Sequence, residues 1–138
     1  MSTGLSQIGV RVVDAKTGNV PLLLTEIRHA VERLLDSGET HVIDLLALPL
    51  APGEDKRIEQ ALGRGEASAR VDALGPSEFQ ETAFAGVWLV THFNAAGEIV
   101  GRFVEIAPVP EILQAPEADI HDGLRRLADA LRGVNDAQ

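Results

Sequence analysis

The chain has 138 residues, of which 24% are charged, and its formal net charge at pH 7 is −9. It contains no cysteine, which excludes disulfide bonds, thiolate metal sites, cysteine-ligated iron–sulfur clusters and a cysteine nucleophile. The chain is acidic, has no basic patch and has no apolar run near the roughly 20 residues that span a bilayer, so we expect neither a nucleic-acid nor a membrane partner.

The N-terminal segment, residues 1–18, has no clear pattern. Its run IGVRVVDA can form an edge strand, whereas the surrounding Gly and Ser residues favour a loose arm. The segment lacks the charged and apolar regions of a secretory signal, so we expect a cytoplasmic location. We predict an arm or edge strand over 1–18, a single domain over 19–134, and a flexible tail over 135–138.

The next elements alternate between helix and strand. The stretch from Asn19 to Gly38 places apolar residues at helical spacing and predicts a long amphipathic helix. The run HVIDLLAL is almost continuously apolar, which predicts a strand buried on both faces; we expect Asp44 near its end or in a local hydrogen bond. A short helix is predicted after Pro52, and the alternation in EASARVDAL predicts a half-buried strand.

The second half of the chain begins with strands and ends with a helix. From Ser77 to Ile106 the sequence is β-rich, and the link NAAG fits a short hairpin with Gly97 in a left-handed conformation. The segment EADIHDGLRRLADALRGV predicts a second long amphipathic helix. Strands grouped after a helix–strand–helix start favour the α+β class. We predict a largely antiparallel sheet with two long helices and one short helix packed on it.

The predicted hairpin sorts its side chains onto two faces. If Asn94 pairs with Glu98, then Trp88, His92 and Arg102 share one face, and the more apolar opposite face is assigned to the core. An exposed Trp beside an Arg is typical of a protein–protein interface. Two alternatives stay open: Trp88 packs in the core or at its rim, and a slip of one residue exchanges the two faces.

Residues with catalytic or metal-binding chemistry form no recognisable motif. None of the four histidines lies four residues from another, and there is no nucleophile elbow. Glu81 and Glu105 lie on neighbouring candidate strands and offer an acid–base pair, although exposed or ion-paired carboxylates are the simpler interpretation. We therefore predict no catalytic residue, no metal site and no cofactor.

Four motifs in the middle of the chain together resemble a known family. LPLAPGE, LGRGEASA, ETAFAGVWLVTHF and EIAPVPEIL follow one another as in the C-terminal domain of the HupH family of hydrogenase expression/formation proteins. The resemblance implies an accessory role in the maturation of nickel–iron uptake hydrogenases, linked to the small, iron–sulfur-bearing subunit before its export. The best-matching segments and the hairpin face give the partner-binding candidates Glu81, Gly86, Trp88, His92 and Arg102.

Three hypotheses follow for the function. The favoured one is a non-catalytic assembly factor that binds the precursor of the hydrogenase small subunit, together with other maturation proteins. Because the chain has no thiol with which to hold a cluster, it would act by shielding or positioning its client. The alternatives are an enzyme that uses Glu81, Glu105 or a histidine, and a structural homodimer formed through an unpaired strand edge or an apolar helix face.

Overall fold

Five strands form one antiparallel sheet, and two helices cover one of its faces. A computed structural model of the chain describes the backbone of residues 4–137 and the side chains of residues 18–137. The strand order is β1-β5-β4-β3-β2. The elements are α1 (Gly4–Ser37), β1 (His41–Asp44), a 3₁₀ turn (Leu45–Ala47), α2 (Glu54–Leu62), β2 (Ser68–Asp72), β3 (Pro76–Glu81), β4 (Val87–Phe93), β5 (Ile99–Ile106), a second 3₁₀ turn (Glu111–Leu113) and α3 (Glu117–Asp136). The predicted α+β class is confirmed.

The first helix is longer than predicted. It begins at Gly4 and runs through Pro21 to Ser37, so residues 4–18 form neither an edge strand nor a separate arm; residues 1–3 lie outside the described part. The sequence reason is that Leu5, Ile8 and Val12 recur at helical spacing. Asn19, predicted as the start of the helix, lies within it.

The first strand lies at an edge of the sheet, which corrects the prediction of a strand buried on both faces. It ends at Asp44, whose side chain accepts a hydrogen bond from the backbone N–H of Leu46 at 3.0 Å and so begins the 3₁₀ turn. Ile43 faces the helices and is buried, whereas Val42 is exposed on the other side. The expected local hydrogen bond of Asp44 is confirmed.

The main core lies between the sheet and the helices α1 and α2. On the sheet side it contains Val87, Val104 and Ile106, none of which is exposed to solvent. The helices contribute apolar side chains spaced by three or four residues, as an amphipathic helix requires. These helix residues are Val20, Leu23, Ile27 and Ala30 from α1, and Ile58 and Leu62 from α2.

The β4–β5 hairpin has the predicted turn but a different register. The backbone N–H of Asn94 donates to the carbonyl of Glu98 at 2.9 Å, and Gly97 has a φ of +82°, as expected for its position. A bulge follows: Phe93 pairs with Ile99 but His92 pairs with Gly101. Val100 is therefore an extra residue on β5, and the remainder of that strand is shifted by one position.

The last helix differs from the expectation in its packing. None of its residues is buried, and its apolar stripe is exposed within the part of the chain that the structure describes. The helix also extends to Asp136, so residues 135 and 136 of the predicted tail are helical, and residue 138 lies outside the described part. Gly133 lies within the helix, and Val134 continues the apolar spacing beyond it.

Candidate functional site

The face of the sheet opposite α1 and α2 is a candidate binding surface, called here the open face. At its centre Phe79, Trp88 and Val90 lie on adjacent strands and are buried. They are covered by neighbouring side chains and by Leu113 of the second 3₁₀ turn rather than by a long helix. The open face therefore combines a small apolar centre with an accessible surround.

An open groove of about 470 Å³ crosses this face. Val42 and Ile112 on its border are more than half exposed, so apolar surface remains in contact with water there. Two carboxylates, from Glu105 and Glu111, also border it. The lining residues are Val42, Phe79, Val90, His92, Phe103, Glu105, Glu111 and Ile112. Such a mixture of apolar surface and a few polar groups is typical of a recognition site.

His92 is held in a defined orientation at one end of the groove. Its Nδ1 lies 2.6 Å from the Oγ of Ser77 on the adjacent strand. Its ring makes edge contacts with Phe79 and Phe103, with centroid distances of 6.4 Å and 5.6 Å. A Cβ atom at Gly101 would lie 3.2 Å from Cδ2 of His92, so the absence of a side chain there leaves room for the imidazole.

Glu81 and Glu105 lie on the open face on either side of Trp88. Each is the cross-strand partner of Trp88, Glu81 on β3 and Glu105 on β5. Their backbones are thus two strand spacings apart, about 10 Å. Glu81 Oε1 accepts a hydrogen bond from the N–H of Ala67 at 3.4 Å, and Glu105 Oε2 accepts one from the N–H of Glu111 at 3.0 Å. Both carboxylates therefore fix neighbouring loops.

Trp88 lies on the open face as predicted, but it is not an exposed anchor. Its side chain is 7% exposed and packs in the same cluster as Phe79 and Val90. This burial agrees with the alternative interpretation, in which Trp88 packs in the core or at its rim. Its indole Nε1 is buried without a hydrogen-bond acceptor, although indole N–H groups usually find a partner.

Arg102 lies on the face covered by helices, which corrects its predicted position beside Trp88 and His92. The bulge at Val100 shifts β5 by one residue, so Arg102 pairs with Thr91 instead of Val90. Its Nη2 forms an ion pair with Oε2 of Glu59 in α2 at 2.8 Å. Arg102 therefore joins β5 to α2 and is separated from the open face by the sheet itself.

Gly86 forms the turn between β3 and β4 and does not lie in the groove. Its φ is +84°, a conformation that residues with a side chain rarely adopt. Its carbonyl accepts a hydrogen bond from the N–H of Ala107 at 2.9 Å, which ties the turn to the end of β5. Gly86 therefore has a structural role, because its backbone conformation forms the turn between β3 and β4.

The sequence prediction missed several residues of the open face. Phe103 follows Arg102 along β5, so the predicted register sets it on the core side, and the bulge that reverses this has no local signal. The apolar run that contains Val42 predicts a strand buried on both faces, and no sequence pattern marks Ile112 as a surface residue. Their exposure depends on which sheet face the helices cover, and this is not encoded in any short stretch of sequence.

A second apolar groove, of about 390 Å³, lies between α1 and the β3–β4 turn. Phe84 in that turn is 51% exposed, and the groove is otherwise formed largely by α1 side chains such as Leu24 and Val31. It contains no candidate residue from the sequence analysis. It provides a comparison surface for experiments on the open face.

Among residues 18–137, no three His, Asp or Glu side chains gather in a way that could hold a metal ion. Within the described helices, none combines the length and hydropathy needed to cross a membrane.

Comparison with known proteins identifies a family. Residues 17–134 match the family model described as the C-terminal conserved region of the HupH hydrogenase expression protein. A solved structure of the hydrogenase expression protein HupH from Thiobacillus denitrificans ATCC 25259 superposes with a TM-score of 0.76 at 42% sequence identity. The alignment covers 86% of this chain and 97% of that one.

Curated relatives carry related names. The hydrogenase expression/formation protein HupH of Rhizobium leguminosarum bv. viciae is 31% identical over 111 residues, which cover 80% of this chain and 39% of the relative. HoxQ of Azotobacter vinelandii, with the same description, is 30% identical over 80% of this chain and 38% of the relative. The hydrogenase-1 operon protein HyaF of Escherichia coli K12 is 24% identical over 91% of this chain and 43% of the relative. The chain thus spans about two fifths of the length of these relatives.

Proposed function

The chain belongs to the family of HupH hydrogenase expression proteins, through their C-terminal conserved region, and on this premise we propose that it is an accessory factor in hydrogenase maturation. The proposed act is the binding of an immature small subunit, as its precursor, in the cytoplasm before export, without catalysis. Other maturation proteins are further partners in this proposal. The names of the relatives support the hydrogenase connection.

The observation that carries the binding proposal is the groove of the open face. It joins a well-packed apolar centre to exposed apolar side chains at Val42 and Ile112, and apolar surface of this kind is typical of a protein-binding site. The carboxylates of Glu105 and Glu111 on its border favour a client segment that carries Lys or Arg beside apolar residues. The net charge of −9 favours a basic client in the same way.

The proposal gives the candidate residues different roles. Within this proposal His92 contacts the client directly, whereas Trp88 supports the groove from beneath. Glu81 shares the face with Trp88 and lies beside the groove. Arg102 and Gly86 contribute through the fold, because neither lies on the open face.

A pull-down tests the function itself. The tagged chain is used as bait in cells that produce the hydrogenase, and bound proteins are identified by mass spectrometry. We expect recovery of the small-subunit precursor with its signal peptide attached. Recovery of no hydrogenase component, from cells shown to make the enzyme, would reject the proposal.

A matched pair of variants tests the surface. Ile112 and Leu46 are 61% and 57% exposed, but only Ile112 lies at the groove. Ile112→Asp should weaken binding of the purified precursor about tenfold, because it places a charge against apolar client residues. Leu46→Asp should leave the affinity within about twofold. If both variants bind the precursor as tightly as the wild type does, the client binds another surface. Phe84→Asp would then test the second groove.

An enzymatic function is the second candidate. It would rest on Glu81 and Glu105, but Trp88 separates their strands and both carboxylates accept backbone hydrogen bonds. This arrangement favours binding over acid–base chemistry. The names of the relatives, which describe expression and formation, agree with that preference.

A further inference from the structure

The exposed stripe of α3 has the spacing of a coiled-coil seam. Its five apolar residues follow one another at intervals of four, three, four and three, which is the alternation of heptad positions a and d. Each of these side chains is more than half exposed. The residues are Ile120, Leu124, Leu127, Leu131 and Val134. A stripe this narrow fits another helix better than a broad sheet.

Five charged side chains of α3 lie on the side opposite this seam. Asp122 forms ion pairs with Arg125 at 3.1 Å and with Arg126 at 3.2 Å, and Arg132 pairs with Asp129. In heptad terms these five residues occupy positions b, c and f, on the side opposite the seam. Each of these five charged groups therefore has a partner within its own helix, and bringing a second helix to the seam removes none of them from water.

The residues that flank the seam are mostly small. Gly123 and Ala130 lie along one side, at position g, and Ala128 lies along the other, at position e. Small residues at these positions let two helix backbones approach closely. Apart from His121 and Asn135, which also occupy position e, the flanks place no bulky group beside a partner helix.

We propose that α3 pairs with α3 of a second copy of this chain, in antiparallel orientation, to form a homodimer. An antiparallel pair centred between Arg125 and Arg126 sets Leu124 of one copy against Leu127 of the other, and Ile120 against Leu131. The four central residues of the seam are thus complementary to themselves, as a twofold interface requires, and Val134 lies opposite Glu117 at each end.

Charge and dipole favour the antiparallel orientation. The first turn of α3 carries Glu117 and Asp119, and the antiparallel pairing keeps it apart from the acidic first turn of the other copy. It also sets the positive N-terminal end of one helix dipole beside the negative C-terminal end of the other. A parallel pair would set the acidic first turns side by side.

The area available agrees with a weak but specific dimer. Two helices of 20 residues are each about 30 Å long, and their contact buries on the order of 1,000 Å² of total surface, near the lower limit for specific interfaces. We therefore expect a dissociation constant in the micromolar range. This inference stands apart from the client proposal, because α3 takes no part in lining the open-face groove.

Sedimentation equilibrium between about 1 and 100 μM tests the dimer. The wild-type chain should dimerise in this range, and Leu124→Glu combined with Leu131→Glu should raise the dissociation constant at least 100-fold. Leu46→Glu, which changes an exposed leucine outside α3, should leave it unchanged. A wild-type chain that stays monomeric at 100 μM, or a dimer that survives both glutamates, overturns the proposal.

Disulfide cross-linking tests the seam and its orientation, and the absence of native cysteine means that every cross-link reports an introduced pair. Chains carrying Gly123→Cys and Ala130→Cys are mixed and oxidised, and antiparallel pairing should give the mixed disulfide. Parallel pairing would instead join Gly123→Cys to Ala128→Cys. The proposed pairing is overturned if only the mixture of Gly123→Cys and Ala128→Cys chains cross-links, or if neither mixture does.

Discussion

Arg102 Nη2 lies 2.8 Å from Glu59 Oε2, and this ion pair connects β5 to α2 across the main core. Arg102 is 15% exposed while Glu59 is 45% exposed, so the guanidinium is the more deeply placed partner. The Nε of Arg102 is also buried without an acceptor. The arginine that the sequence suggested as a binding residue is therefore part of the contact between sheet and helix.

Removal of the Glu59 carboxylate should lower the free energy of unfolding more than replacement of Arg102. Glu59→Ala leaves a largely buried cation without its partner and should lower the free energy of unfolding by about 1–2 kcal/mol. Arg102→Met removes the charge and keeps most of the apolar stem, so we expect a change below about 1 kcal/mol. Urea denaturation measures both values. A larger loss of stability in Arg102→Met than in Glu59→Ala would contradict this account.

Trp88 should act as a structural residue. Trp88→Ala should lower the free energy of unfolding by about 3–5 kcal/mol, because it opens a cavity among buried side chains. Trp88→Phe should cost roughly half as much, since an aromatic ring still fills most of the space. Loss of client binding in a fully stable Trp88→Ala variant would contradict this expectation and restore Trp88 as a direct contact.

The same residue offers a probe of the open face. Trp88 is the single tryptophan of the chain, and it is 7% exposed. We expect a blue-shifted fluorescence emission that changes when a client occupies the groove, because the indole packs in one cluster with Phe79 and Val90, which line the groove. Emission typical of a solvated indole in the free chain would be inconsistent with the described packing.

Gly86 should matter for its backbone conformation. A Cβ atom there would lie 3.7 Å from Cδ2 of Leu34, an ordinary contact, so space is not the obstacle. Gly86→Ala should lower the free energy of unfolding by about 1–2 kcal/mol because of the positive φ. Gly86→Asn should cost less, since Asn tolerates this region better. Thermal or urea denaturation distinguishes the two.

The hydrogen bond between Ser77 and His92 should orient the imidazole. Ser77→Ala should lower the free energy of unfolding by about 0.5–1.5 kcal/mol, as for a typical half-buried hydrogen bond. It should also weaken client binding, because the ring at the end of the groove loses its fixed orientation. Ser68→Ala, at an exposed strand position, is the control and should change neither quantity measurably.

The elements with local signals could be predicted from the sequence. The helical spacing around Leu23 and Ile27 marks the central part of α1, and Gly97 marks the hairpin turn, because each depends on residues close in sequence. The start of α1 was missed, since a Gly- and Ser-rich segment that contains Val and Ile also fits a strand. The burial of β1 was misjudged, since an apolar run does not reveal whether its strand is central or at an edge.

The candidate site was only partly accessible to sequence reasoning. Trp88 and His92 were placed on the correct face, because alternation along one strand fixes their relation. The position of Arg102 depended on the pairing of two strands, and a single extra residue reversed it. Local patterns also cannot predict what covers the apolar stripe of α3. An amphipathic stripe does not specify whether the covering surface belongs to the same chain.

The bulge at Val100 also determines where the hairpin tolerates a change in length. Loss of Val100 would restore a regular ladder, in which Phe93 still pairs with Ile99 and His92 with Gly101, so Phe103 would stay on the open face. Loss of any one residue further along β5 would reverse the orientation of the residues on one side of the deletion. In related sequences, a single-residue deletion in this hairpin is therefore expected at position 100.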